Sequence, residues 1–329
     1  MQDDKASFTA ADAFPVKLLQ NSKLVKSIVE DRIIPPLHVQ FIPTNKCNLK
    51  CSFCSCSEED RTKEMTLTQM RETIAILDRS GMESVTITGG GDPLCYPYFD
   101  DMIDAFKCRA ISMGLVTNGI LLPTISPKTL NRIKWCRISH GDDRLFPFDY
   151  RWKLTSIMEK ADKVDWAFSY VVSPKPNFPQ ILELIYLADA IGCTHVRLVA
   201  DLLCPQDVPM ANLKERLLPH LKDITMPVIF QERNVPEHGG NCRICYLKPV
   251  VTPDLKVYAC CGAQYALDPP SKSFPKELCL GTVDEFPQII KEHSSEPFKG
   301  GELCSCCYYG AYNRALEMLL SKVQHKEFV

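Results

Sequence analysis

Thr44-Asn45-Lys46-Cys47-Asn48-Leu49-Lys50-Cys51-Ser52-Phe53-Cys54 is the stretch on which the fold turns. Its cysteines follow a C-x3-C-x2-C spacing, so three thiolates within eight residues can wrap one loop around a single metal centre. An iron–sulfur cubane normally takes four cysteine ligands. A loop that supplies three leaves one iron open. By the logic of catalytic zinc sites, an open position is where substrate or cosubstrate binds. The competing readings are a zinc knuckle completed by Cys56 or a distant histidine, and unliganded core thiols.

Working outward, the loop directly follows an apolar strand, His38–Ile42. Ser84–Thr88, Ser112–Thr117, Trp135–Ser139, Asp165–Val172 and His195–Ala200 read as further strands. Helical patterns lie between them at Thr68–Ser80, Tyr98–Cys108, Pro127–Lys134, Asp149–Ala161 and Pro179–Ile191. Strands alternating with helices imply βαβ units and a parallel sheet over residues 38–232, doubly wound or a partial barrel. Functional residues then belong at the C-terminal strand ends. Before this stretch, residues 1–37 read as a polar tail and one amphipathic helix, about Lys17–Arg32, stopped at Ile34-Pro35-Pro36.

Residues 233–329 break the alternation. They hold Cys242-Arg243-Ile244-Cys245, a hairpin pattern around Val250–Cys260 with Cys261 beside its last cysteine, Leu280-Gly281-Thr282-Val283, Cys304-Ser305-Cys306-Cys307, and a closing helix from about Gly310 to Gln324. A C-x2-C pair, a hairpin ending in cysteine and a distal C-x2-C pair form a metal-site arrangement, zinc being the simplest occupant.

The composition narrows the classes further. The chain has 329 residues, 45% hydrophobic and 24% charged, which is ordinary globular usage. Its net charge is −2, so it lacks the basic footprint of a nucleic-acid binder. No apolar run approaches the ~20 residues of a bilayer span, and the acidic N-terminus lacks a secretory h-region. Seventeen cysteines without a secretory signal point to a reducing, cytoplasmic setting in which clustered thiols bind metal.

The C-x3-C-x-aromatic-C pattern, with Phe53 in the aromatic slot, resembles the radical S-adenosylmethionine (radical SAM) superfamily. The resemblance implies a partial (β/α)6 barrel of α/β class. In it Cys47, Cys51 and Cys54 hold a 4Fe–4S cluster, and S-adenosylmethionine chelates the fourth iron. Thr88-Gly89-Gly90-Gly91-Asp92-Pro93, after the second strand, is similar to the family's Gly-Gly-Glu-Pro turn beside the methionine amino group, with Asp92 displaced by a third glycine. Thr117 and Asn118 resemble the family's turn near the nucleoside. By the same resemblance Ser139, Ser169 and Arg197 are cosubstrate-contact candidates, and His140, Asp142, Asp143 and Arg144 sit where substrate would lie.

The C-terminal cysteines resemble the SPASM and twitch domains, with Leu255 in place of the hairpin's usual glycine and Thr282 in place of an asparagine. That resemblance implies an auxiliary 4Fe–4S cluster held by four of Cys242, Cys245, Cys260, Cys304 and Cys307, leaving Cys261 and Cys306 as spares. The implied activity is hydrogen abstraction from a small molecule (aminocyclitol, sugar or nucleoside) or a short peptide, giving oxidation or epimerisation, with Cys204 or Cys56 as candidate hydrogen donors. A reducing partner such as flavodoxin or ferredoxin is implied too. A crosslink-forming peptide maturase with a separate recognition partner, and a non-catalytic zinc or iron–sulfur binding module, are the alternatives.

Overall fold

A computed structural model describes residues 10–144, 148–232, 238–321 and 324. One mixed sheet runs through it. The strands in chain order are β1 His38–Phe41, β2 Ser84–Ile87, β3 Ser112–Thr117, β4 Trp135–Gly141, β5 Asp165–Val172, β6 His195–Ala200, β7 Val228–Gln231, β8 Val250–Val251, β9 Lys256–Tyr258 and β10 Cys279–Thr282. Their spatial order is β10-β9-β8-β1-β2-β3-β4-β5-β6-β7. From β1 to β7 every pair is parallel. Parallel neighbours need crossovers, and the helices between them supply these. The α/β class and parallel barrel strands expected from the sequence are borne out.

Helix boundaries follow local chemistry. Helix Leu67–Arg79 starts at Thr66, whose hydroxyl accepts from Gln69 N while the Gln69 side chain accepts from Thr66 N, a reciprocal capping box. Its apolar side, Met70, Ile74 and Leu77, is fully buried with Met102, Ile103 and Phe106 of helix Phe99–Lys107. The outward residues of the strands join them, among them Phe41, Leu115, Ile138 and Phe168. Alternation along the strands then places Trp135, Arg137, Ser139, Ser169, Val171 and Arg197 on the opposite, inner face, where each is only half-buried.

Four expectations need correcting. The single helix over Lys17–Arg32 is instead Ala10–Gln20, Ser22–Lys26 and a wide turn at Ser27–Asp31. Asn21 interrupts it by accepting from Leu24 N at 3.0 Å, so the chain restarts as a capped helix. The polar tail ahead of these helices, residues 1–9, lies outside the described residues. Helix Pro127–Lys134 ends at Leu130. The closing helix stops at Leu320, short of Gln324. Strands β7 and β10 have no counterpart among the expected strands: one is four residues long, the other carries Cys279 and Gly281 with a register shift, so neither gives a periodic signal.

The N-terminal helices pack on the C-terminal module. Leu18, Leu24, Ile28 and Ile34 share a buried cluster with Tyr246, Leu316 and Leu320, and the Phe14 and Tyr312 rings lie 4.2 Å apart. The module also completes the sheet, because β8 pairs parallel to β1 with Gln40 opposite Val250 and Phe41 opposite Val251. Among the described residues no helix is long and apolar enough to cross a membrane.

Candidate active site and cluster centres

The cysteine loop leaves β1 at its C-terminal end, and the Gly89–Gly91 turn leaves β2 beside it. Gly91 N donates to Thr44 O at 3.2 Å and Asp92 N donates to Lys46 O at 2.8 Å, so the turn clamps the start of the loop. A side chain on Gly90 would overlap the Asn45 amide, and one on Gly91 the Lys46 carbonyl. Glycine is therefore demanded here by backbone-to-backbone approach.

Each sulfur of the loop receives N–H groups. Cys47 Sγ accepts from Leu49 N at 3.4 Å and Asn118 Nδ2 at 3.9 Å. Cys51 Sγ accepts from Arg144 Nε at 3.1 Å and Nη2 at 2.8 Å. Cys54 Sγ accepts from Arg61 Nη2 at 3.8 Å. Two guanidinium groups thus face the thiols, the environment anionic thiolate ligands need. Burial still raises the pKa of Cys51, with Arg144 pulling it back. The Arg144 guanidinium also lies 5.1 Å from the Phe53 ring centre, and Phe53 fills the space where a Gly141 side chain would stand. Asp143 accepts from Ser52 N at 2.7 Å.

The auxiliary cysteines are gathered differently. Cys242, Cys260, Cys304, Cys306 and Cys307 line one cavity, and among the described residues no lysine or arginine lines it with them. Backbone joins its walls: Gly239 N donates to Cys304 O at 2.8 Å, and Phe298 N to Cys242 O at 2.8 Å. Cys245 lies behind, wholly buried, its thiol donating to Cys242 O at 3.4 Å. Burial raises the thiols of Cys245 and Cys260 well above their ordinary range and that of Cys304 to about 12. A thiolate here needs positive charge that a bound metal would bring, so the donor set fits iron. Among the described residues no three His, Cys, Asp or Glu side chains converge where one ion could sit. Five cysteines lining one cavity are a donor set of the kind an iron–sulfur cluster takes.

Residues 41–141 match the family model of the radical SAM superfamily. Over that stretch, which runs from the end of β1 through β4 and includes the cysteine loop, the chain is similar to the radical SAM superfamily. It is 27% identical over 160 residues to a probable GTP 3′,8-cyclase of Methanocella arvoryzae, covering 47% of this chain and 44% of that protein. It is 29% identical over 100 residues to the antilisterial bacteriocin subtilosin biosynthesis protein AlbA of Bacillus subtilis, covering 30% and 22%. The chain therefore spans less than half the length of these curated relatives. In fold it is similar to Streptococcus suis SuiB bound to precursor peptide SuiA, with TM-score 0.60, 18% identity, and coverage of 91% of this chain and 77% of that one. The cysteines of the loop and of the auxiliary cavity are consistent with iron–sulfur clusters, and the superfamily matched over residues 41–141 is one that uses S-adenosylmethionine.

The remaining candidates separate. Asp92 is buried and its carboxylate is saturated by the chain, accepting from Leu94 N, Thr117 Oγ1 and Asn118 N, so it and Thr117 tie β2 to β3. Asn118 donates to Asn48 Oδ1 at 2.6 Å and reaches the Cys47 sulfur. Ser139, Ser169 and Arg197 occupy one row of the inner face, in register across β4, β5 and β6. Asp142 accepts from Ser173 N and Asn177 N, and His140 is buried against Tyr170, so both organise the turn after β5.

Cys56 is enclosed, with Gln264 Nε2 donating to its sulfur at 3.3 Å, and burial raises its thiol to about 12. Cys204 stands just past β6, its thiol raised by burial and by Asp201. Cys306 lines the auxiliary cavity. Cys261 turns away and bonds the Tyr309 hydroxyl at 2.9 Å.

Sequence reasoning missed Arg61 and the sulfur contact of Arg144. Arg61 Nη1 donates to Asn45 O at 3.1 Å and Gly90 O at 2.8 Å, and Nη2 to Cys56 O at 3.1 Å. It pins the loop's two limbs and the glycine turn together. A lone arginine in a polar loop carries no periodic or spacing signal.

Proposed function

We propose that this chain is a radical SAM oxidoreductase or epimerase that removes a hydrogen atom from a small molecule or short peptide bound on the inner face of the barrel. The observation that carries the reading is the loop at the end of β1, whose three sulfurs all receive N–H groups and which opens toward a half-buried inner face. Cys47, Cys51 and Cys54 would hold the cluster that binds S-adenosylmethionine. That cluster would supply the electron that cleaves the bound sulfonium reductively.

The chain's own residues do the positioning. Arg144 and Arg61 offset thiolate charge and hold the loop in shape. Phe53 closes the loop against β4, and the Gly89–Gly91 turn offers backbone to the cosubstrate. Four sulfurs drawn from the cavity cysteines and Cys245 would hold the auxiliary cluster. Residues 38–232 act as the barrel, and residues 233–329, with the N-terminal helices packed on them, as the auxiliary module.

The relatives speak for both substrate classes: one is a probable GTP cyclase, another a bacteriocin biosynthesis protein. The reducing partner would be a flavodoxin or ferredoxin of the cytoplasm. The test is 5′-deoxyadenosine formation by the anaerobically reconstituted protein with S-adenosylmethionine and dithionite, before and after adding candidate substrates. No product from iron-loaded protein with any candidate would leave a non-catalytic cluster-binding module as the reading.

A further inference from the structure

Helix Ala263–Ala266 stands between the two cysteine sites and touches both. On one side Gly262, Tyr265 and Ala266 line the auxiliary cavity with Cys260, and Ser305 N donates to Ala266 O at 2.7 Å. On the other side Gln264 reaches the cysteine loop. Its Nε2 donates to Cys56 Sγ at 3.3 Å, across 208 positions of chain. Both side chains are buried, Gln264 at 4% exposure and Cys56 at 6%. The bond belongs to a longer seam between loop and module. Glu58 N donates to Lys272 O at 3.2 Å, and Phe274 N to Glu59 Oε1 at 2.6 Å. Gln264 O in turn accepts from Ser271 N and Lys272 N, which fixes the far side of that seam.

From Cys56 the bonding continues to a ligand candidate. Cys56 O accepts from Arg61 Nη2 at 3.1 Å, and the same nitrogen donates to Cys54 Sγ at 3.8 Å. The Cys56 thiol also donates to Gly89 O at 3.8 Å, at the first residue of the glycine turn. A side chain of the module thus acts on a sulfur of the loop through two residues, Cys56 and Arg61. The other half of the amide, Gln264 Oε1, is buried without a partner among the described residues. A buried orphan acceptor costs stability, and an apolar side chain would close the same seam without it. What the amide adds is the bond its nitrogen makes to Cys56.

We propose that Gln264 is a positioning residue for the loop centre: it holds Cys56, and through Cys56 and Arg61 it sets the N–H bonding of the Cys54 sulfur. This rests on the reading of Cys47, Cys51 and Cys54 as ligands of a 4Fe–4S cluster. Hydrogen bonds to ligand sulfurs help to set a cluster's reduction potential, because they stabilise the more negative, reduced state. The loop centre is then tuned from the module as well as from the barrel.

The test uses the full-length, anaerobically reconstituted protein, titrated with reductant and read by electron paramagnetic resonance. The loop cluster's signal is the one lost when Cys47, Cys51 and Cys54 are all alanine. Gln264→Leu should keep its iron and hold or raise its thermal midpoint, since it removes the orphan acceptor, while the loop cluster's reduction potential moves down. Chelator-driven iron loss from the loop should quicken about tenfold. Cys56→Ala should move the potential the same way, and the double variant no further than either single one, because both act along one path. An unmoved or raised potential in iron-replete Gln264→Leu, or a double variant showing the sum of the two shifts, would overturn the proposal. A residue that only fastened the module would change the thermal midpoint and leave the potential alone. Should Gln264→Leu fail to take up iron, Gln264→Met, closer to glutamine in shape, decides. A wild-type loop that binds no iron would sink the reading of the loop itself, a different failure from an unmoved potential. No S-adenosylmethionine is added, so the proposed reaction is judged separately by 5′-deoxyadenosine formation.

Discussion

The two cysteine sites of this chain solve opposite problems. The loop after β1 keeps its sulfurs half-exposed and surrounds them with N–H donors, two of them arginines. The auxiliary cavity sets its sulfurs, exposed to a similar degree, among apolar walls and glycine backbones, and no lysine or arginine lines it among the described residues. The first arrangement tolerates a coordination position left open to solvent and cosubstrate, because charge and shape are set by the protein. The second has backbone bonds for its shape and would take its charge balance from a bound metal. On the proposed reading, the site that exchanges ligands is the one whose charge the protein itself offsets.

The largest effect should come from the loop itself. Replacing Cys47, Cys51 and Cys54 together by alanine should lower iron from about 8 to about 4 per chain and abolish 5′-deoxyadenosine formation. Iron and sulfide assays check it, and unchanged iron would remove the open-site half of the contrast. Next, Cys260→Ala should empty the auxiliary cavity while sparing the loop cluster, and it should cost the module several kcal/mol because the free energy of metal binding adds to that of folding. Equal thermal losses in the two cysteine variants would break the comparison.

Arg144→Gln sharpens it, since outer-shell partners of metal ligands are worth roughly 10–100-fold in metal affinity or activity. Chelator-driven iron loss should quicken by that factor at the loop and not at the auxiliary centre.

Acid provides a smaller probe of the barrel. His140 and His195 are buried, and desolvation chiefly lowers their pKa to about 4 from the ordinary 6.5 of an unfolded chain. Between those values the unfolded chain binds the protons, so stability falls as pH falls through 6.5 toward 4. Going from neutral pH to about pH 5.5, each should cost about 1 kcal/mol, measurable by denaturant midpoints. The smallest effect belongs to the module hairpin. Leu255 holds φ +63°, the left-handed conformation natural to glycine, yet its side chain packs on the barrel core. Leu255→Gly should relieve strain of ~1 kcal/mol and lose packing of similar size, leaving the midpoint nearly unmoved.

Much of this is legible in the sequence because it rests on spacing. The three-cysteine loop, the six barrel strands and the hairpin of β8 and β9 are short-range patterns. The rest depends on meetings across the chain. Arg144 reaches Cys51 from 93 residues away and Arg243 pairs with Glu317 across 74. Asp92 ends a glycine turn, the position of a cosubstrate ligand, yet its oxygens are spent on Leu94 and β3. Cys260 lines the auxiliary cavity while its neighbour Cys261 bonds the Tyr309 hydroxyl. Cys306 lines the same cavity as Cys304 and Cys307, with its thiol donating to Tyr265 O at 3.1 Å.

The pairing of β1 with β8 also dictates how this chain can be made. The first barrel strand leaves the ribosome with one edge open, and the residues that cover that edge, Val250 and Val251, follow about 200 positions later. At ordinary elongation rates of roughly 5–20 residues per second that is a wait of about ten seconds or more. Throughout it a parallel edge ending in a reactive thiol loop stays available to other chains. On the proposed reading, the sheet beside the cysteine loop is complete only after the C-terminal third is made, so iron insertion into the loop would follow that synthesis.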